Sequence, residues 1–181
     1  MESNIDDIGC LIKCAKNGDE QAMTSLITIH KGLIFTIILR MTNDYHLSED
    51  LTQDTFIRAF MNMKKVKSGE HFRPWLCTIA RNIVRDHYRR NRNSPSVSFE
   101  QVEEFQGQSD DPIRRRVVIQ DALARLTERD RMLLTLTYYE GLSLREIAET
   151  MKMTEANAKV CLHRARKRLR KQLAGYENEL L

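Results

Sequence analysis

Glycine and proline are scarce in this chain, 7 and 3 among 181 residues, and no segment alternates apolar and polar positions as a half-buried strand would. Sheet-rich folds are therefore excluded. Cysteine is limited to Cys10, Cys14, Cys77 and Cys161 without a CxxC pair, which argues for reduced thiols rather than a disulfide framework. Cys10 and Cys14 stand at i, i+4 and could share a metal, but further ligands are not evident nearby, so neither metal nor cofactor is expected. Long hydrophobic runs are missing too. The longest, "GLIFTIIL", falls well short of the roughly 20 residues that cross a bilayer. The opening "MESNIDDIG" lacks the basic and apolar regions of a secretory signal. Both absences point to a cytoplasmic protein without membrane insertion. A Gly-rich phosphate loop and a nucleophile elbow are likewise absent, and Asp and His are dispersed over helical surfaces, so no catalysis by this chain is expected.

What the chain does contain is 41% hydrophobic residues, recurring at helical spacing almost throughout, enough for an all-α protein with one ordinary domain or two small ones. The spacing predicts helices over Ile5 to Lys16, Glu20 to Met41, Ser48 to Lys65, Phe72 to Arg90, Ile113 to Arg125, Glu128 to Glu140, Leu144 to Met151 and Glu155 to Leu173. Ser143 with Glu146 reads as a capping box, and Thr127 with Asp130 as a weaker version. Between Arg92 and Asp111, "RNSPSVSFEQVEEFQGQSDD" is polar and lacks a helical stripe. The expected organisation is a helical domain over 1–92, a flexible acidic linker over 93–111, and a second helical domain over 112–181.

Charge is segregated along the chain, and the formal net +4 conceals it. Thr154 to Lys171 carries seven cations and one acid, whereas Glu100 to Asp111 carries five acids and no base. In "SLREIAETMKMTEANAKVCLHRARKRLRK" a capped helix, a short turn and a basic helix follow one another, the layout of a DNA-binding helix-turn-helix. Advancing about 100° per residue puts Ala158, Leu162, Ala165, Leu169 and Leu173 in one core stripe. Val160, His163, Arg164 and Lys167 fall opposite, with Lys159 on the flank. Cys161 lies at the edge of the stripe, a small residue near the DNA-facing side. A solvated amphipathic helix would explain the charge but not the cap, the turn and the division of faces.

Two further helices divide the same way. In "FRPWLCTIARNIVRDHYRRNR", Phe72, Leu76, Ile79 and Ile83 form an apolar stripe, with Arg81, Arg85, Arg89 and Arg92 across from it and Asn82 beside them. Trp75, near the edge of that stripe, reads as a core anchor. In "LSEDLTQDTFIRAF", Asp50, Gln53 and Asp54 share one exposed side. That patch suits a basic protein partner and would be wasted on DNA.

Taken together, "DLTQDTFIRAF", "FRPWLCTIARN" with its arginine run, and "LTERDRMLLTLTYYEGLSLREIAETMKMTEANAKVCLHRARKRL" resemble the extracytoplasmic-function sigma factors of bacterial RNA polymerase, in their order and spacing and over nearly the whole chain. The resemblance implies a factor that directs promoter recognition, DNA melting and transcription initiation. It implies that Asp50, Gln53 and Asp54 dock on the clamp helices of the largest subunit of core RNA polymerase. The minus-ten element, with a flipped base, would meet Lys65, Val66, Lys67, His71 and Asn82, with Arg81 and Arg85 on phosphates. The minus-thirty-five element would be read by Lys159, Val160, His163 and Arg164, with Arg166 and Lys167 on phosphates. The resemblance also implies an acidic linker that threads into polymerase, contact with its second-largest subunit, and an anti-sigma factor as a further partner. A stand-alone helix-turn-helix regulator that never binds polymerase is the alternative, and a recombinase lacks its expected strands.

Overall fold

The computed structural model describes residues 5–66, 68–90, 112–139, 141–174 and 176. Its described secondary structure is helical: α1 (Ile5–Lys16), α2 (Glu20–Thr42), α3 (Tyr45–Met61), α4 (Gly69–Arg90), α5 (Pro112–Ala124), α6 (Glu128–Tyr138), α7 (Leu144–Met151) and α8 (Glu155–Leu173), with a 310 turn at Met63–Lys65. The expected linker and Lys67 lie outside the described residues.

Local chemistry sets the boundaries. Asp19 caps α2 by accepting from the amides of Gln21 and Ala22 at 2.9 and 3.1 Å, and Asn43 ends that helix at φ 55°, a left-handed turn that asparagine tolerates better than most residues. Asp44 then caps α3 through Leu47 N at 2.9 Å, so α3 begins earlier than the spacing of apolar residues suggests. Pro74 lies inside α4, at its sixth residue, where it removes the amide that would otherwise bond the Glu70 carbonyl one turn back. The Ser143/Glu146 capping box is formed in both directions.

The central element is α2. Leu26, Ile34, Ile37 and Ile38 are fully buried, and the helix packs on α1, α3, α4 and α6. By length and composition α2 could cross a membrane, which the short "GLIFTIIL" run does not reveal. Its apolar side packs instead on other helices of this chain, while its other side faces solvent.

The two halves, α1–α4 and α5–α8, do not have separate cores. Buried residues from both form one continuous cluster, with α6 against α2 and α7 against α4. Arg131 stitches the first contact. Its guanidinium donates to the carbonyls of Leu123 at 3.0 Å, Ala124 at 2.7 Å and, across the interface, Met41 at 3.0 Å. Alongside, Arg40 donates to Gln120 Oε1 at 2.6 Å, Gln120 donates to Asn43 Oδ1 at 2.6 Å, and Arg40 lies 4.1 Å over the Tyr139 ring.

Candidate nucleic-acid and protein interface

The acidic patch is placed by α3. Leu51, Thr52, Thr55, Phe56 and Ala59 are buried, which turns Asp50, Gln53 and Asp54 to solvent together. Sequence reasoning missed the continuation of this face. Ile57 is 50% exposed and Met61 81% exposed, at i+7 and i+11 from Asp50, so the patch pairs two carboxylates with apolar side chains. Exposed hydrophobics beside charges are what a protein partner, rather than a nucleic acid, would cover. The helical spacing itself carried that signal.

On α4 the expected apolar stripe is in place, with Phe72, Leu76 and Ile83 buried and Ile79 half-buried. Arg85 is exposed, while Arg81 and Asn82 are half-buried because α7 of the other half packs over this helix. The guanidinium of Arg81 is held below its ordinary pKa by burial first and by neighbouring Arg85 second, with Glu128 opposing. Val66 corrects an expectation. Its side chain is 3% exposed and belongs to the core, so it offers no surface to a base. Its carbonyl accepts from Lys16 Nζ at 2.6 Å, which pins the turn. Lys65 is exposed and donates to Asn62 Oδ1 at 2.6 Å.

A cavity of 440 Å³ brings Lys65 and Asn82 together with residues that sequence did not assign to the site: Arg58, Asn62 and Trp75. Trp75 is half-buried, tilted against Phe72 with ring centroids 5.9 Å apart. It is both a core anchor and a cavity wall. Glu149 and Lys152, from the other half, close the cavity. His71, at the start of α4, is turned to Glu149, Arg73 faces Glu146 at 3.8 Å, and Thr78 and Thr150 exchange contacts with carbonyls across the interface.

The α8 helix divides as its periodicity requires. Ala158, Leu162 and Ala165 are buried, Leu169 is half-buried, and Lys159, Val160, His163, Arg164, Arg166 and Lys167 are all exposed. Unlike the α4 surface, this face is bare. Arg166 lies near Tyr138, 5.4 Å from the ring centroid. Below the face, Arg168 pairs with buried Asp130, so this member of the basic run is structural. Lys152, in the turn before α8, adopts φ 53°, the left-handed geometry that joins the two helices and costs a non-glycine residue roughly 1–2 kcal/mol. Cys161 is half-buried; Arg129 Nη2 donates to its sulfur at 3.1 Å, and the thiol donates to Asn157 Oδ1 at 3.3 Å. Among the other thiols, Cys77 is buried and Cys10 is exposed. Burial first, then Cys10, raises the Cys14 thiol above its ordinary pKa. No group of metal-ligating side chains occurs among the described residues.

Comparison with known proteins follows the same division. The Sigma-70 region 2 family model matches residues 26–94, and the Sigma-70, region 4 model matches residues 116–169. The chain is 30% identical over 177 residues to the ECF RNA polymerase sigma factor SigW of Bacillus subtilis, covering 90% of this chain and 94% of the relative. It is 33% identical over 141 residues to SigM of the same organism, covering 76% and 86%. Among solved structures, CnrH in complex with the cytosolic domain of CnrY shares the fold at TM-score 0.71, with 24% identity over 92% of this chain and 96% of that one. The sigma factor RpoE of Bartonella quintana, in complex with the anti-sigma factor NepR, shares it at TM-score 0.65, with 23% identity over 83% and 96%.

Proposed function

The chain belongs to the sigma-70 family, among its ECF RNA polymerase sigma factors, and on that premise we propose how its three surfaces divide the work. It is a transcription initiation factor with DNA-binding segments, and the stand-alone regulator is not favoured. The α3 patch of Asp50, Gln53 and Asp54, extended by Ile57 and Met61, docks on the largest subunit of core polymerase, with the second-largest subunit as a further contact. Lys65, Lys67, His71, Arg81, Asn82 and Arg85 engage the minus-ten strand, and Trp75 in place of Val66 supplies the aromatic wall for a displaced base. Lys159, Val160, His163 and Arg164 read the minus-thirty-five duplex, with Arg166 and Lys167 on phosphates. Residues 1–92 and 112–181 form the two working domains, and 93–111 joins them. Polymerase supplies the chemistry, and the factor acts in the cytoplasm.

The observation that carries this reading is the α8 helix, whose buried stripe leaves every proposed reading residue exposed on one face. A protein inhibitor is a further partner, supported by the fold shared with two sigma factors solved in complexes, one with CnrY and one with the anti-sigma factor NepR.

The closed arrangement adds a geometric requirement. Elements centred about 25 base pairs apart are separated by about 85 Å at ~3.4 Å per pair. A compact chain of this length has a radius of gyration of about 16 Å, so its two halves cannot reach both elements while packed together. They must separate, and the chain between Arg90 and Pro112 spans up to about 70 Å when extended. Until then α7 masks α4 and leaves α8 open.

In vitro transcription with purified core polymerase on genomic DNA of the source organism tests the assignment. Promoter-dependent transcripts and co-elution with core are expected. Absence of both would end the sigma reading.

A further inference from the structure

A second cleft, of 520 Å³, lies between the two halves and is distinct from the cavity at Trp75. Four cations line it: Arg81 and Arg85 from α4, Arg129 from the start of α6, and Lys152 from the turn before α8. Glu128 is the one carboxylate among the lining residues. Elsewhere in the interface the cations are matched. His71 meets Glu149, Arg73 meets Glu146, and Arg131 is saturated by carbonyls.

Here they are not. The hydrogen bond of Arg81 goes to Met151 Sδ at 3.6 Å, and those of Arg129 go to Met153 Sδ at 4.0 Å and Cys161 Sγ at 3.1 Å. Sulfur is a weak acceptor, so among the described residues these two guanidiniums have no strong hydrogen-bond acceptor. Arg81 is half-buried beside Arg85, and burial first and that like charge second work against its protonated form, with Glu128 opposing them. Two helix starts border the same space, α6 at Thr127 and α8 at Asn157, and each carries the partial positive charge of a helix N-terminus, although the Asp130 and Asn157 amides are already capped by Thr127 and Thr154. Arg85, Arg129 and Lys152 are exposed to water and only Arg81 is half-buried, and their concentrated positive charge attracts an anion to the cleft.

We propose that this cleft binds a phosphate-chain anion of the nucleoside polyphosphate class, and that its occupancy holds the two halves closed. The volume falls within the roughly 300–1,000 Å³ of small-ligand sites. A tri- or tetraphosphate matches four cations, whereas a single phosphate reaches too few of them. Met151 and Met153, both half-buried, give a base an apolar, polarizable surface. The site exists only where α4 meets α6 and the α7–α8 turn. A ligand spanning it therefore favours the closed arrangement by linkage. The regulatory consequence rests on the proposed use of Arg81 and Arg85 on the minus-ten strand, because an occupied cleft withdraws both; binding itself does not depend on that reading.

Calorimetry on the full chain with GTP, inorganic tripolyphosphate and orthophosphate tests it. GTP and tripolyphosphate are expected to bind one per chain, more weakly as salt rises, with orthophosphate at least about tenfold weaker. GTP binding tighter than tripolyphosphate assigns the methionine surface to a base; equal affinities assign the phosphate chain alone. Arg129→Ala lies outside the proposed DNA faces, whereas Lys152→Ala also borders the Trp75 cavity; each should weaken binding about tenfold. Saturating GTP should lower affinity for a minus-ten strand and leave minus-thirty-five duplex binding unchanged. No saturable binding by either probe, or affinities indifferent to both substitutions, would overturn the site. Intact GTP binding in a protein that drives no transcription with core polymerase would instead remove the sigma reading and leave the site standing.

Discussion

His71 Nδ1 stands 3.0 Å from both carboxylate oxygens of Glu149, 78 positions further along the chain, and this pair ties the α4 face proposed for the minus-ten strand to α7. Both side chains are more than a third exposed, at 36% and 39%, so the pair contributes no more than about 1 kcal/mol. A contact that weak can be traded for DNA or for polymerase. Glu149→Lys places a cation opposite His71 and should shift the balance toward separated halves. The expected result is a larger radius of gyration by small-angle scattering and severalfold tighter binding of a single-stranded minus-ten oligonucleotide, with minus-thirty-five duplex affinity unchanged. An opened variant that binds the strand no better would mean that α7 does not mask α4.

The α3 patch predicts a separation of functions. Asp50, Gln53 and Asp54 are exposed and anchor no cap, so Asp50→Ala with Gln53→Ala should change folding stability by no more than about 0.5 kcal/mol per substitution. Co-elution with core polymerase should fall, and binding of a minus-thirty-five duplex by the same full-length protein should persist. Ile57→Ala should add to the loss, because it lies on the same face and is half-exposed. Equal loss of both activities would point to misfolding and take the patch out of the docking surface.

Helices with one buried stripe could be read from the chain because their periodicity reports burial directly. The boundaries of α7 and α8, the Ser143/Glu146 box and the exposed face of α8 all fall where spacing and capping chemistry place them. Two features were not legible. Val66 lies in a short turn between α3 and α4, where no period exists, and only the packing of that turn buries it. The closure of the two halves depends on which faces meet across long stretches of chain. Arg131, Arg40 and Thr150 look like surface polar residues until their carbonyl and amide partners arrive from the other half. Arg168 belongs to the basic run by sequence, yet its pairing with buried Asp130 makes it part of the scaffold.

His30 predicts an acid sensitivity unrelated to DNA. It is 5% exposed, packs against Phe72 at 5.2 Å between ring centroids, and its Nε2 has no hydrogen-bond partner. Burial first, and Arg73 second, lower its pKa from 6.5 to about 4. The unfolded chain therefore takes up a proton below pH 6.5 that the folded chain refuses until about pH 4. Stability contributed by neutral His30 is complete above the unfolded value and is lost as pH falls between those limits. His30→Leu removes the titration and an unpaired nitrogen. Urea unfolding should find the variant near wild type at pH 7.5 and more stable at pH 5, by on the order of 2 kcal/mol. Parallel pH profiles for the two proteins would show that His30 titrates alike in the folded and unfolded chain.

Arg164 carries the sharpest prediction about sequence reading. It sits in the middle of the bare face of α8, one turn beyond Val160 and one before Lys167, and it is exposed. Among the described residues it makes no hydrogen bond or ion pair, so a change in DNA affinity on substitution reports contact rather than stability. A guanidinium at this position can pair with both acceptors of a guanine edge, which an ammonium cannot do. Arg164→Ala should cost about 1–3 kcal/mol on the cognate upstream element and relax preference at one base pair. Arg164→Lys should recover part of the affinity and none of the preference. Lys167→Ala should instead weaken all duplexes alike and reduce the salt dependence by about one phosphate contact. Competition binding against a panel of singly substituted duplexes distinguishes the three variants, and an unchanged preference in Arg164→Ala would remove Arg164 from the reading set.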